Sequence, residues 1–212
     1  LTGRLENRRR GTDMMAAARL AVSGSVLGVL ATVLAACQTM SKEECAVADW
    51  RIVGETDGAA GRGTDYILKH AKACQRVGVV PDQSAWLAGR ETGLIRYCTP
   101  QNAVRVGSEG KSYANVCPRQ LDGLFTQGYQ FGMRVYDARA RRDRVQNDIS
   151  RKENERRELT ASLGKDPAKD AAIRAQISQL DRDIGFLYGS QSSVNLELGR
   201  AEAEAEGFLA SL

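Results

Sequence analysis

Pro81-Asp82-Gln83-Ser84-Ala85-Trp86-Leu87-Ala88-Gly89-Arg90-Glu91-Thr92-Gly93-Leu94-Ile95-Arg96-Tyr97-Cys98-Thr99-Pro100 is the stretch on which the fold turns. Pro81-Asp82 opens a helix that carries Trp86, Leu87, Leu94, Ile95 and Tyr97 as far as Cys98. Thr99-Pro100 then reads as an N-cap with proline at the first helical position, where a missing N–H costs nothing, and opens a short helix toward Gly107. A loop through Gly107, Ser108, Glu109 and Gly110 leads to Cys117-Pro118, where a further helix begins. Upstream, Ser41 with Glu44 spells a capping box for a helix running toward Gly54 and Gly58. Thr64-Asp65 caps another from Asp65 to Val77, stopped by Gly78. Helix start and stop signals thus follow one another without a strand signal, and the fold class expected is all-α.

Within the opening stretch, Trp86 is followed by Gly89 and Gly93; Phe125 is followed by Gly128 and Gly132 at the same spacing, and Trp50 by Gly54 and Gly58 at a spacing one residue longer. Glycines three to four apart share a helix face and let a neighbouring backbone come close. Tight helix packing is the expectation; a groove lined by Trp50 and Trp86 is the functional alternative. No Gly-rich loop carries the Lys and Ser/Thr of a phosphate-binding loop.

The N-terminus reads as an address. Basic residues up to Arg19 precede an apolar, small-residue run from Leu20 to Ala36, too short and Gly-rich for a bilayer-spanning helix of about 20 apolar residues, so a secretory signal fits better. The run ends in Leu34-Ala35-Ala36-Cys37, which matches the lipobox of bacterial lipoproteins, so residues 1–36 are expected to be a cleaved signal peptide and Cys37 the acylated residue. Leu1 to Asp13 reads as an over-extended frame or a long n-region before Met14 and Met15. Gln38, where Asp would favour inner-membrane retention, points to the periplasmic face of the outer membrane. The competing readings are an ordinary signal peptide with Cys37 incidental, and an uncleaved anchor.

This division also accounts for the charge. The 212 residues carry 30 Lys+Arg and 26 Asp+Glu, a net +4. Residues 1–36 hold five of the basic and two of the acidic residues, leaving 25 against 24, so no nucleic-acid partner is expected.

Four cysteines remain: Cys45, Cys74, Cys98 and Cys117. An even number in an exported domain reads as a disulfide framework, whereas a zinc site would need closer thiol pairs, so no metal or cofactor is expected. If each pair of flanking helices folds back antiparallel, residues equidistant from the turn face one another. The midpoint of Cys45 and Cys74 is 59.5, inside Gly58–Gly63, and that of Cys98 and Cys117 is 107.5, in the Gly107–Gly110 loop. The pairs expected are therefore Cys45–Cys74 and Cys98–Cys117.

From Met133 onward cysteine disappears, and 14 basic and 14 acidic residues fall within 80. Ile173, Ile177, Leu180, Ile184, Leu187, Gln191, Val194, Leu198, Ala201, Ala205, Phe208 and Leu212 keep a heptad register. An earlier arm carries Val135, Ala138, Val145, Ile149, Leu159 and Leu163, interrupted by Arg142, Lys152 and Arg156. Gly164-Lys165-Asp166-Pro167 separates the arms and predicts an antiparallel, coiled-coil-like helical hairpin. Gly185, Gly189, Gly199 and Gly207 weaken its second arm, with a break expected at residues 189–193. The Arg139–Arg144 run is expected to be a solvated face neutralised by Asp137, Asp143 and Asp148. The organisation expected is a signal peptide (1–36), a disulfide-stapled helical domain (37–132) and a charged helical tail (133–212).

The order Cys45, Asp49-Trp50, Gly54, Asp57-Gly58, Gly61, His70, Cys74, Pro81-Asp82, Gly89, Gly93-Leu94, Tyr97-Cys98, Gly107, Tyr113 and Cys117-Pro118 resembles an uncharacterised family of proteobacterial lipoproteins catalogued only as domain of unknown function 2799. The resemblance implies an envelope lipoprotein. It supplies no activity, ligand or catalytic residue.

No catalytic constellation is evident. A Ser-His arrangement would rest on His70 alone, which sits between Lys69 and Lys72, and Asp49, Asp57, Asp65 and Glu91 have no spacing that pairs them. The expectation is a non-enzymatic envelope lipoprotein, anchored to the membrane through Cys37 and engaging a protein partner or itself through the tail. The alternatives are a ligand- or glycan-binding module on Trp50 and Trp86 and, further off, a cell-wall hydrolase.

Overall fold

The structure is a computed structural model that describes residues 39–212. The expected signal peptide and Cys37 lie outside the described residues. The helices are α1 (Lys42–Ala46), α2 (Trp50–Ala59), α3 (Ile67–Cys74), α4 (Gln83–Tyr97), α5 (Pro100–Ser108), α6 (Arg119–Ser162) and α7 (Pro167–Ala210), and the described residues contain no strand. The chain divides into two units: the described part of Leu1–Asp49 with Asp65–Asp82, and Trp50–Thr64 with Gln83–Leu212.

In the first unit the capping box forms as expected. Glu44 N–H donates to Ser41 Oγ at 3.1 Å and Ser41 N–H to Glu44 Oε2 at 2.6 Å, and these bonds hold the Glu44 carboxyl below its ordinary pKa. The helix they open stops at Ala46 instead of running on to Gly54, because the chain bends at Val47–Asp49 before α2. The stretch expected as one helix from Asp65 to Val77 is a 3₁₀ turn (Thr64–Tyr66), α3, and a second 3₁₀ turn (Gln75–Val77). Its stop at Gly78 is as expected, with φ 71°. Cys45 and Cys74 are both buried and disulfide-bonded.

The second unit is built from two helix pairs of the same design. In α2 and α4, a Cβ on Gly54 or Gly58 would strike the backbone of Trp86 or Arg90, and one on Gly89 or Gly93 the backbone of Arg51 or Glu55. Contacting residue numbers rise together along the two helices, so α2 and α4 run parallel. In α5 and α6, Gly107 meets Tyr129 and Met133, Gly128 meets Pro100 and Ala103, and Gly132 meets Val104 and Ser108, again in parallel. Adding 49 to a position in α2, or 39 to one in α4, gives its counterpart in the second pair. Both first helices end alike. Gly61 and Gly110 take φ of 70° and 67°, and the amides of Arg62 and Lys111 reach back to the carbonyls of Asp57 and Val106 at 2.9 and 3.1 Å. The rings of Tyr97 and Tyr136 occupy the space a side chain at Gly61 or Gly110 would need.

Cys98 and Cys117 are paired as expected, with Cα atoms 5.7 Å apart, but not for the expected reason. No antiparallel hairpin turns between them. Cys98 precedes α5, Cys117 precedes α6, and the bond ties the starts of two parallel helices. The antiparallel premise behind Cys45–Cys74 fails too: the turn at 59.5 ends α2, whose partner is α4. Around the second pair, Leu94, Tyr97, Ala103, Val106 and Phe125 form a core, with the Phe125 ring 5.1 Å from Tyr97 and 4.6 Å from Tyr113.

Helix α6 passes unbroken through residues 132–133, where the composition changes. It meets α7 as the expected antiparallel arm, the turn between them closed by Asp166 capping Ala168 at 3.1 Å. Ion pairs Arg139–Glu202, Arg141–Glu197, Lys152–Asp183 and Arg156–Asp181 show one arm's numbers falling as the other's rise. Of the heptad residues from Ile173 to Leu212, Leu180, Ile184, Leu198, Ala201, Ala205 and Phe208 are buried, and only Leu212, past the end of α7, is exposed. The break expected at residues 189–193 is absent: α7 is continuous over 44 residues. Burial of its seam outweighs the roughly 1 kcal/mol that each glycine costs a helix interior.

Candidate functional site

Trp86 and Trp50 were the side chains from which a groove was to be built. Trp86 is fully buried, and its indole N–H donates to Asp57 Oδ2 at 2.9 Å. A buried Trp takes a hydrogen-bond partner, and Asp57, itself 8% exposed, supplies it across the α2–α4 contact. Beside it the buried Arg90 donates through Nε to the Arg62 carbonyl at 2.7 Å. These groups close the helix pair and present no face to a ligand. Trp50, at the start of α2, is half-buried. Glycine's close approach, the packing alternative, is what the structure uses.

The residues weighed for catalysis are divided between the two units. His70 is buried in the first unit, edge-on to the Tyr66 ring at 5.3 Å, while Glu91 is exposed on α4 of the second. Asp57 is bound to the indole, Asp65 lies in a 3₁₀ turn and Asp49 is exposed. Among the described residues no three His, Cys, Asp or Glu side chains are grouped as metal ligands. A shallow, largely apolar depression of about 350 Å³ lies in the first unit between α3 and the Gly78–Pro81 segment. It carries Lys72 as its one charged side chain.

One polar cluster was missed by sequence reading. Tyr113 donates its hydroxyl to Asp122 at 2.5 Å and accepts from the Cys117 N–H at 3.1 Å, so it holds the loop beside the Cys98–Cys117 bond. Burial first, and the hydrogen bond to Asp122 second, push its pKa up to about 12. The cluster has the character of a latch: a neutral phenol spanning a carboxylate and a backbone amide.

The surface is where the second unit is distinctive. The arginine run is largely paired, Arg139 and Arg141 with glutamates of α7 and Arg142 with Asp143, so Asp143 neutralises as expected, while Glu202 and Glu197 supply the other partners. On α7, Phe186, Leu196 and Tyr188 stand 76%, 65% and 47% exposed. No helix among the described residues is long and apolar enough to cross a membrane.

No curated protein and no solved structure is detectably similar to the chain. The matching family model spans residues 49–134, which begin just before α2 and end within α6, and so cover α2, α4, α5 and the first part of α6. The resemblance read from about Cys37 to Gly132 is thus met over residues 49–134, which match the family described as protein of unknown function DUF2799, while Cys45 lies outside the match.

Proposed function

We propose that the chain is a non-enzymatic interaction module of the cell envelope, held at the periplasmic face of the outer membrane by acylated Cys37 and using its helical hairpin to engage protein. The observation that carries the reading is the hairpin itself. Two 44-residue helices bury one seam between them, while the outer side of α7 keeps Phe186 and Leu196 in solvent. At 1.5 Å per residue each arm is about 66 Å long, far more helix than the DUF2799 core needs to close. The Leu34–Cys37 lipobox supports the anchor, and two acyl chains or more make such attachment durable.

Two experiments test it. Cys37→Ser is expected to abolish labelling by an alkynyl palmitate and to release the protein from membranes; retained labelling refutes the anchor. Photo-crosslinkable residues on the outer face of α7, activated in intact cells, are expected to yield discrete protein adducts, and the absence of any adduct refutes the interaction role. The ligand- or glycan-binding alternative loses Trp86 to the interior, and no observation favours it over the hairpin.

A further inference from the structure

We propose that the outer face of α7 pairs antiparallel with the same face of a second copy of this chain, about a two-fold axis at residue 194. This rests on the interaction-module reading and names its partner. Opposite the buried seam, Arg182, Gly185, Gly189, Ser192, Leu196, Gly199, Ala203 and Glu206 recur at alternating spacings of three and four and are all exposed. That is a second heptad stripe on one helix. A Cβ on Gly185, Gly189 or Gly199 would meet nothing within 4 Å, whereas the α2, α4, α5 and α6 glycines that bind helix to helix lie against backbone.

The charges choose the occupant and its direction. In antiparallel pairs each first core position of the heptad faces the second core position of the partner. Centring on 194 puts Gly189 opposite Gly199, Gly185 opposite Ala203 and Ser192 opposite Leu196. The same register sets Arg182 against Glu206 at both ends, and on the flank it brings the 76%-exposed Phe186 beside the exposed Arg200, a cation over an aromatic face. A parallel pair would oppose Arg182 to Arg182 and Glu206 to Glu206. The face is therefore self-complementary in one orientation, as an isologous two-fold interface must be.

The test uses the full, oxidised chain in detergent on a Cys37→Ser background. With Ser193→Cys, which lies next to the axis, mild oxidation is expected to give a covalent dimer. Ser178→Cys alone should give little, and Ser178→Cys mixed with Ala210→Cys should give the heterodimer. Gly189→Leu is expected to raise the dimer dissociation constant by about tenfold or more, read by sedimentation, while leaving thermal stability of the monomer equal or higher, since leucine is the better helix former. A chain that sediments as a monomer, a Ser178→Cys self-crosslink as strong as that of Ser193→Cys, or a Gly189→Leu dimer of undiminished affinity overturns the proposal. Capture of a different envelope protein at position 193 by a monomeric chain overturns it too, yet leaves the interaction-module reading intact; loss of every adduct removes both.

Discussion

Alanine at Gly93 is expected to destabilise the protein, whereas alanine at Gly123 stabilises it. In a helix without neighbours the change favours Ala by about 1 kcal/mol, since glycine loses more backbone entropy on folding. At Gly123 nothing lies within 4 Å of the new Cβ, so that gain of about 1 kcal/mol stands. At Gly93 the new Cβ would lie 2.6 Å from Ala59 N and closer still to the Glu55 carbonyl, against an ordinary contact of 3.4 Å or more. The helices must part by at least 0.8 Å, and the obstacle is backbone, which cannot rotate aside. Overpacking of this kind costs about 3 kcal/mol at the upper end of its range, leaving a net loss of about 2 kcal/mol and a gap of about 3 kcal/mol between the variants. Urea unfolding of the oxidised protein, followed by far-ultraviolet circular dichroism, measures both. A Gly93→Ala protein as stable as the parent would refute parallel glycine-mediated packing of α2 on α4.

Replacing Cys98 and Cys117 together by alanine should cost about 3 kcal/mol in the same assay, the chain-entropy figure for a closed loop of this size, separation 19. The Tyr113 phenol has a folded-state pKa of about 12, above its unfolded value near 10, so the stability it contributes is complete below pH 10 and is lost as pH rises from 10 to 12. Unfolding midpoints at pH 8 and pH 11 check this, and Tyr113→Phe should flatten the difference while costing about 1 kcal/mol at pH 8 through the lost hydrogen bonds. Trp86→Phe removes the indole donor from buried Asp57 and should cost about 2 kcal/mol. Adding Asp57→Val, which copies the Val106–Phe125 arrangement of the second pair, should give a double variant less destabilised than the sum of its single changes; strict additivity in a double-mutant cycle refutes the coupling.

Caps were the most legible part of the sequence. Ser41/Glu44, Thr99/Pro100 and Gly78 mark helix ends through local hydrogen bonds and φ preferences, and all three behave as read. Direction was not legible, because a glycine face licenses close approach from either orientation. The cysteine pairs came out correctly from an antiparallel premise that fails: Cys98–Cys117 ties two helix starts, and Cys45–Cys74 ties the end of α1 to the end of α3. Trp50 was set beside Trp86 and Phe125, yet its extra residue before Gly54 marks it as part of a first helix, whose counterparts are Ala103 and Gly107. The repeat could have been found from Tyr97 and Tyr136, each four residues past the second glycine. Of the candidate site, the seam of α7 was visible as hydrophobic residues, but its outer stripe was hidden. Small residues there read only as helix weakness until the structure showed the helix intact.

Parallel pairing also sets the order of events when the chain folds. Every glycine contact within α2–α4 and α5–α6 joins residues 22 to 38 apart in sequence, and none is made across a tight turn. Long loops must close before such contacts return anything, so the DUF2799 core is slow to form from a free chain. Oxidation of Cys98 with Cys117 closes one of those loops covalently and brings two helix starts together in advance. Until that bond forms, only the intervening chain joins the two helix starts, so the reduced protein is expected to refold more slowly than the oxidised one.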